Sequence, residues 1–312
     1  MVPDSDSPRL LDRVRDKIRV KHYSIRTEQA YVDWIKRFIF YHGKRHPAYL
    51  GAAEVEEFLT DLAVRRNVAG ATQNQAKSAI LFLYREVLER DLPWLENVER
   101  ARTPARMPVV LTQDEVARVL RRLHGTHHMI GKLLYGSGMR IMEGVRLRVK
   151  DIDFARRQIL VRDGKGQKDR ITMLPGAAVS ELNRHLEYVR ELHATDLAEG
   201  LGNTWLPFAL ERKYPHGGRE WCWQYAFPAD RRAPDPRTGV FRRHHLSDQA
   251  FQRAMKQAVR DAGLTKPATP HTLRHYADGG IAATRSPRTC SKRVMTSGRF
   301  RNCSGTPTSA RR

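Results

Sequence analysis

Cysteine is scarce in this sequence, and none of its cysteines stands in a paired motif. The chain has 312 residues and three cysteines, Cys222, Cys290 and Cys303. A disulfide framework or a structural zinc site needs cysteine or histidine ligands in recognisable groups. The adjacent pairs His127–His128 and His244–His245 do not provide them, because neighbours on a chain rarely converge on one metal. We therefore expect a reduced, cytoplasmic protein that uses no metal and no cofactor.

Long apolar runs and acidic residues are also in short supply. No stretch is apolar enough to span a membrane, and the acidic start Val2-Pro3-Asp4-Ser5-Asp6 is unlike a signal peptide, so no membrane partner is expected. Lysine and arginine number 56 against 34 aspartates and glutamates, which gives a net charge of +22. Such a charge favours a polyanionic partner, most often nucleic acid, although a ribosomal-type or merely soluble basic protein is the alternative. The length and a hydrophobic content of 40% fit two folded domains.

Apolar stripes at helical spacing fill the first hundred residues. Leu10, Val14 and Ile18 form one stripe, and Ser24 is a candidate N-cap for a second stripe over residues 31–39. A third stripe covers residues 55–62, and the capping-box pattern Thr72-Gln73-Asn74-Gln75 precedes a fourth over residues 76–87. We predict a four-helix domain over residues 1–96. Its polar faces carry basic residues that either are solvated or lie on DNA, namely Lys36, Arg37, Lys44, Arg45, Arg65, Arg66, Lys77 and Arg85.

A charged, proline-containing stretch over residues 97–110 predicts a linker, and a second domain is predicted over residues 111–283. The capping box Thr112-Gln113-Asp114-Glu115 opens it, and a further helix is expected at about residues 128–135. Gly136 and Gly138 then interrupt the chain. They place Arg140 at the start of the next helix, where a phosphate binds well, with Glu143 one turn on to orient it.

Two predicted strands flank a glycine-rich turn in this second domain. Residues 159–161 and 171–174 are typical of strands, and between them lies Gly164-Lys165-Gly166-Gln167-Lys168-Asp169-Arg170. Lys165 is therefore expected at the tip of a small hairpin. It either reaches a DNA strand or is simply a solvated lysine.

An aromatic and basic segment over about residues 200–246 has no amphipathic period. Its aromatics, interleaved with arginines and histidines, suit stacking on unpaired bases, or else they form a small core of their own. A helix is expected to follow over residues 248–262. The candidate DNA-binding residues are Arg212, Lys213, Tyr214, Trp221, Trp223, Arg243, His244 and His245.

The segment Pro270-His271-Thr272-Leu273-Arg274-His275 sets His271 and Arg274 three residues apart, on one face of a helix. Alone, the pair could be two solvated side chains. The ordered set Arg140, Lys165, His271 and Arg274, however, resembles the catalytic residues of the tyrosine recombinases. The insertion, with Ala-Leu-Glu-Arg-Lys-Tyr-Pro and then Trp-x-Trp-Gln, resembles that of the integron integrases.

This resemblance implies a mixed α/β, mainly helical fold. An N-terminal four-helix core-binding (SAM-like) domain would be joined to a tyrosine-recombinase catalytic domain with a small antiparallel sheet. The implied activity is integration and excision of gene cassettes by DNA cleavage and rejoining through a phosphotyrosyl intermediate. The implied partners are a duplex attachment site, a folded single-stranded cassette site and further copies of the chain, as a tetramer on DNA in the bacterial nucleoid.

Two of the family's catalytic groups are missing from the sequence. The family has a second histidine in Leu-Gly-His and a nucleophilic tyrosine after it, whereas here Tyr276 is the last tyrosine and no leucine follows Leu273. Permitted codons for residues 286–312, read one nucleotide out of frame from the end of the Arg285 codon, give a peptide that contains Leu-Gly-His. We therefore expect residues 284–312 to be an aberrant, disordered tail that arose from a frameshift.

The expected chain is thus a catalytically defective DNA binder of a recombinase family. The rival interpretation is a non-catalytic DNA-binding or architectural protein. The recombinase interpretation requires Arg140, Lys165, His271 and Arg274 to converge on one phosphate-sized spot.

Overall fold

The computed structural model describes residues 9–92, 98–99, 101, 109–164, 168–207 and 210–274. The chain forms two compact units, residues 1–107 and residues 108–312. Both are rich in helix, and the second also holds two small antiparallel sheets. The predicted fold class is confirmed. None of the helices formed by the described residues combines the length and apolar character that crossing a bilayer requires.

The first unit is built from four helices. They are α1 (Leu10–Val20), α2 (Ile25–Tyr41), α3 (Ala52–Val64) and α4 (Gly70–Phe82), and a π-helical turn over Leu83–Val87 continues α4. The predicted stripes supply its buried side chains, because Val14 and Ile18 of α1 pack in one cluster with Ile35 of α2. Phe38 and Phe58 meet edge to face in the other cluster, with ring centroids 5.5 Å apart.

The helix starts were predicted with mixed success. Ser24 caps α2 by accepting a hydrogen bond from the Thr27 backbone N–H at 3.1 Å, as predicted. The Thr112 hydroxyl likewise accepts a hydrogen bond from the Glu115 N–H, and the Glu115 carboxylate accepts one from the Thr112 N–H. The predicted capping box at Thr112 is therefore confirmed. The prediction of a capping box at Thr72 is wrong, because α4 begins two residues earlier, at Gly70, and Thr72 lies inside its first turn.

The second unit surrounds one hydrophobic cluster with helices and a hairpin. Its helices are α5 (Gln113–Arg122), α6 (Gly125–Ser137), α7 (Ile141–Val145), α8 (Gly176–Ala198), α9 (Leu210–Lys213) and α10 (Asp248–Asp261). Residues 270–274 are helical as well. The helices predicted near residues 128–135 and 248–262 are confirmed as α6 and α10.

The predicted hairpin is present, and a third strand that was not predicted pairs with it. The strands are β1 (Ile152–Asp153), β2 (Gln158–Val161) and β3 (Arg170–Met173), all antiparallel in the order β1-β2-β3. Val161 pairs with Arg170, so the glycine-rich turn connects β2 and β3 as expected. Farther along, β4 (Ala233–Pro234) pairs with β5 (Phe241–Arg242) inside the irregular segment.

Candidate functional site

Arg140 stands at the N-cap of α7, in extended conformation with φ −74° and ψ 153°. Gly138 ends α6 just before it in the left-handed region, at φ 66°, where a side chain would be strained. Glu143 accepts a hydrogen bond from the Arg140 backbone N–H at 2.7 Å and another from Arg140 Nη1 at 2.8 Å. Glu143 is therefore placed to orient the Arg140 side chain, as expected. The Arg140 side chain keeps 35% of its surface exposed, so an anion can approach its guanidinium.

Glu143 also binds a second arginine that the sequence did not single out. Arg170 donates from Nη1 to Oε1 at 2.9 Å and from Nη2 to Oε2 at 2.6 Å. Burial alone would raise the pKa of Glu143, but the hydrogen bonds from Arg170 and Arg140 outweigh it and lower the pKa to about 2. The carboxylate thus stays ionised and ties α7 to β3.

The turn that carries Lys165 starts beside this carboxylate. The Gly164 N–H donates to the Lys168 carbonyl at 3.1 Å. A Cβ atom at Gly164 would lie 2.8 Å from that carbonyl and 3.7 Å from Glu143 Oε1, so only glycine fits there. Lys165 itself lies outside the described residues, and its role as general acid stays a prediction.

His271 and Arg274 lie on the helical segment 270–274. His271 is exposed and Arg274 is half-buried. Leu273 is fully buried in the same hydrophobic cluster as Met139, the neighbour of Arg140. One core therefore anchors the two backbone segments that bear Arg140 and Arg274, while convergence of their side chains on one phosphate stays a prediction.

The two predicted stacking tryptophans are half-buried and have cations against their rings. Trp221 packs on the main hydrophobic cluster, with Arg190 Cζ 5.0 Å from its ring centroid. Trp223 has Arg148 Cζ 5.6 Å from its centroid, and the Lys150 ammonium lies over the ring as well. Trp221 therefore packs on the core of the unit, and base stacking by either tryptophan stays a prediction.

Arg148 is the residue that sequence reasoning missed most clearly. It is only 6% exposed, and it donates to the carbonyls of Trp223 and of Trp205, the latter at 2.9 Å. Its guanidinium also lies 4.5 Å from the centroid of Tyr225. Nothing in the sequence separates this arginine from the many exposed ones, because its burial depends on the distant segment that folds over it.

The three candidates on and after α9 are the more accessible ones. Arg212 and Lys213 are exposed, and Tyr214 is half-buried. Lys213 Nζ lies 5.5 Å from the ring centroid of Tyr214. These side chains remain available for contact with DNA, which stays a prediction.

The candidates at the end of the segment are engaged within the protein. Arg243 donates to both carboxylate oxygens of Asp196, at 2.6 and 2.8 Å, and to two backbone carbonyls. His244 Nε2 is 3.7 Å from Asp235 Oδ2, and His245 Nδ1 donates to the Leu246 carbonyl at 2.8 Å. Burial lowers the pKa of both histidines, so they are neutral near pH 7. This geometry gives Arg243 a structural role, and its contact with DNA stays a prediction.

Within the described part of the chain, no group of three His, Cys, Asp or Glu side chains is placed to hold a metal ion. The Cys222 thiol is half-buried and donates to a Glu220 carboxylate oxygen at 3.5 Å.

Two family models match the sequence. The model described as "Phage integrase, N-terminal SAM-like domain" matches residues 10–94, and "Phage integrase family" matches residues 109–279. An "Integrase/recombinase" of Escherichia coli is 54% identical over 274 residues, which are 88% of this chain and 81% of that protein.

Two solved structures of similar fold are DNA complexes. One is XerH site-specific recombinase bound to palindromic difH substrate, with TM-score 0.54, 19% identity, and coverage of 88% of this chain and 73% of that one. Another is a lambda integrase tetramer bound to a Holliday junction, with TM-score 0.56, 16% identity, and coverage of 89% and 70%. At these identities the likeness concerns the fold.

Proposed function

The chain belongs to the phage integrase family of tyrosine recombinases, and from that premise we propose an integron-type recombinase that acts on gene-cassette sites in the bacterial nucleoid. The observation that carries the proposal is Arg140, fixed by Glu143 at the start of α7 beside the turn of Lys165. A guanidinium held in this way is preorganised for a phosphate.

The proposed chemistry needs no metal. Attack on a phosphodiester builds negative charge on its non-bridging oxygens, and Arg140 and Arg274 would neutralise that charge. Lys165 would protonate the leaving 5′-oxygen, and His271 would orient the phosphate and the nucleophile.

Substrate choice is assigned to the irregular segment over about residues 200–246. The exposed Arg212 and Lys213 are suited to backbone phosphates, and Trp221 and Trp223 to unpaired bases of a folded single-stranded cassette site. Binding as a tetramer on two sites is part of the proposal, by analogy with the lambda integrase tetramer on a Holliday junction.

We further propose that this chain binds DNA without completing strand exchange. The phage integrase match ends at residue 279. After it the sequence has no tyrosine and no leucine, and the residues of 286–312 permit a frameshifted reading that contains Leu-Gly-His. Without a tyrosine nucleophile, no phosphotyrosyl link can form.

The DNA-binding part is tested by fluorescence anisotropy with a cassette-type hairpin and with a fully paired duplex of the same length. Binding to both should weaken steeply with salt, because phosphate contacts release counterions. Trp221→Ala and Trp223→Ala should weaken hairpin binding more than duplex binding. Equal losses on both would leave the tryptophans as core residues only.

The catalytic part is tested with a nicked suicide substrate. The chain as it stands should trap no covalent adduct, whereas a gene with the frame shifted by one nucleotide at the Arg285 codon, and continued past the present stop to a tyrosine codon, should yield one. Arg140→Ala in the shifted-frame protein should abolish the adduct. An adduct formed by the original chain and lost in Tyr276→Phe would make Tyr276 the nucleophile instead.

The rival function, a non-catalytic DNA-binding or architectural protein, makes a different prediction. It expects no adduct from the shifted-frame protein and equal affinity for Arg140→Ala and the unmodified chain.

A further inference from the structure

Lys150 occupies the aromatic face that the proposed function assigns to a base. It lies on the short 3₁₀ turn Val149–Asp151, and Trp223 lies on the turn Trp221–Trp223. The Lys150 ammonium lies over the Trp223 ring, inside the range of a cation–π contact. A base that stacks on this face must displace the ammonium.

The nearby carboxylate of Asp151 is already engaged by an arginine. Among the described residues no ion pair to Lys150 is formed, and its neighbour Asp151 is bound by Arg162 Nε at 2.7 Å. Arg148 is held by the backbone carbonyls of Trp223 and Trp205. The turn therefore carries, beside an aromatic ring, a positive charge that no ion pair among the described residues engages.

We propose that Lys150 and Trp223 form a single-nucleotide subsite, in which an unpaired base stacks on Trp223 and Lys150 moves from the ring to the phosphate of that nucleotide. The proposal rests on the proposed function. It identifies Lys150 as the residue that links stacking of the base to binding of its phosphate. Stacking on an aromatic ring tolerates any base, and an ammonium is a point charge suited to phosphate. The subsite would thus detect that a base is unpaired rather than which base it is.

The electrostatic surroundings make this subsite sensitive to pH. The pKa of Lys150 is lowered to about 8, mainly by burial. The charges of Arg162 and Arg148 also lower it, and the charges of Asp151 and Cys222 oppose this shift. A phosphate beside the ammonium would raise that pKa again. Binding would then take up a proton above pH 8, so the affinity of the subsite falls as the pH rises.

The experiment compares two hairpins in anisotropy titrations between pH 7 and pH 9 at constant salt. One hairpin carries a single unpaired adenine, and the other is fully paired; adenine does not titrate in this range. For the unmodified chain, the preference for the unpaired adenine should decline above pH 8, with a limiting slope of about tenfold per pH unit for one proton.

Substitutions of Lys150 test whether its charge contacts the phosphate. Lys150→Arg keeps the charge at every pH, so the preference should persist and lose its pH dependence. Lys150→Gln should bind the unpaired-adenine hairpin about tenfold more weakly at pH 7, without a pH slope. The matched control Lys256→Gln removes the same charge from an exposed position on α10, and should keep the slope above pH 8.

Two outcomes would overturn the subsite. One is an unchanged pH slope in Lys150→Gln, and the other is tighter hairpin binding by Lys150→Gln, which would make the ammonium only an obstacle on the ring. Absence of any preference for unpaired bases in the unmodified chain, with duplex binding intact, would instead contradict the proposed cassette-site function.

Discussion

Glu143 and Arg170 form a bidentate ion pair that joins α7 to strand β3, with both N–H···O distances below 3 Å. The same carboxylate holds the backbone and the guanidinium of Arg140. Arg170 on β3 and Arg140 at the start of α7 are therefore linked through the side chain of Glu143, which is only 7% exposed.

The first prediction concerns the stability that this pair provides. Arg170→Met should lower the free energy of unfolding by about 2 kcal/mol, because the buried Glu143 loses one of its two arginine partners. Urea-induced unfolding of the full chain measures it. The matched control is Arg156→Met, since Arg156 is exposed and 3.9 Å from Asp153, and its effect should stay below about 0.5 kcal/mol. Equal effects of the two substitutions would contradict a special role for Arg170.

The second prediction is a pH dependence that originates in Glu143. Its pKa falls on folding from 4.5 to about 2. The corresponding stability is complete above pH 4.5 and is lost as the pH falls toward 2, because the unfolded chain then binds the proton first. Urea titrations at pH 2 to 6 should show a shallower decline for Glu143→Gln than for the unmodified chain. Parallel curves would mean that Glu143 is not the group responsible.

Local patterns predicted the local elements well. Side-chain caps at Ser24 and Thr112 bind backbone groups within three residues, so the sequence alone contains both partners. Thr72 failed because the same residue types also occur inside a first helical turn, and the preceding Ala69 starts α4 without a side-chain cap. A cap is thus predictable only when no earlier start competes with it.

The site was predictable where its contacts are local and not where they are distant. Glu143 is three residues from Arg140, at helical spacing, and that contact was expected. Arg170 reaches Glu143 across 27 positions, and Arg148 reaches Trp223 across 75. Such contacts depend on how the hairpin and the irregular segment pack, which no local pattern specifies.

The third prediction concerns the core of the first unit. Tyr84 is 1% exposed, and its hydroxyl lies 3.0 Å from the Pro47 carbonyl and 3.1 Å from that of Leu50. Tyr84→Phe should lower the free energy of unfolding by about 1–2 kcal/mol, since two buried acceptors lose their donor. Tyr41→Phe is the control, because its hydroxyl donates to the exposed side chain of Glu57, at 3.1 Å.

The Tyr84 difference should also vanish at alkaline pH. Burial raises the pKa of Tyr84 to about 12. A raised pKa gives stability that is complete below pH 10 and lost as the pH rises toward 12. A difference between Tyr84→Phe and the unmodified chain that persists through that range would contradict the assignment.

The fourth prediction tests whether Arg148 holds the irregular segment in place. Two backbone hydrogen bonds flank it, from Ala226 N–H to the Leu147 carbonyl at 2.7 Å and from Val149 N–H to that of Gln224 at 3.1 Å. In Arg148→Met, both amides should exchange with solvent at least about tenfold faster, because the segment loses its buried donor and opens locally. Hydrogen exchange with mass spectrometry of peptides covering residues 145–150 and 221–227 measures it.

The controls for Arg148 lie close by in the sequence. Arg146→Met removes an exposed arginine two residues away and should leave the exchange of both peptides unchanged. Arg148→Lys should not restore protection, since one ammonium cannot reach the carbonyls of Trp205 and Trp223 with the fixed geometry of a guanidinium fork. Unaltered exchange in Arg148→Met would mean that the hydrophobic contacts of Tyr225 and Phe227 hold the segment without the arginine. The position of Trp223 in the proposed subsite would then not depend on Arg148.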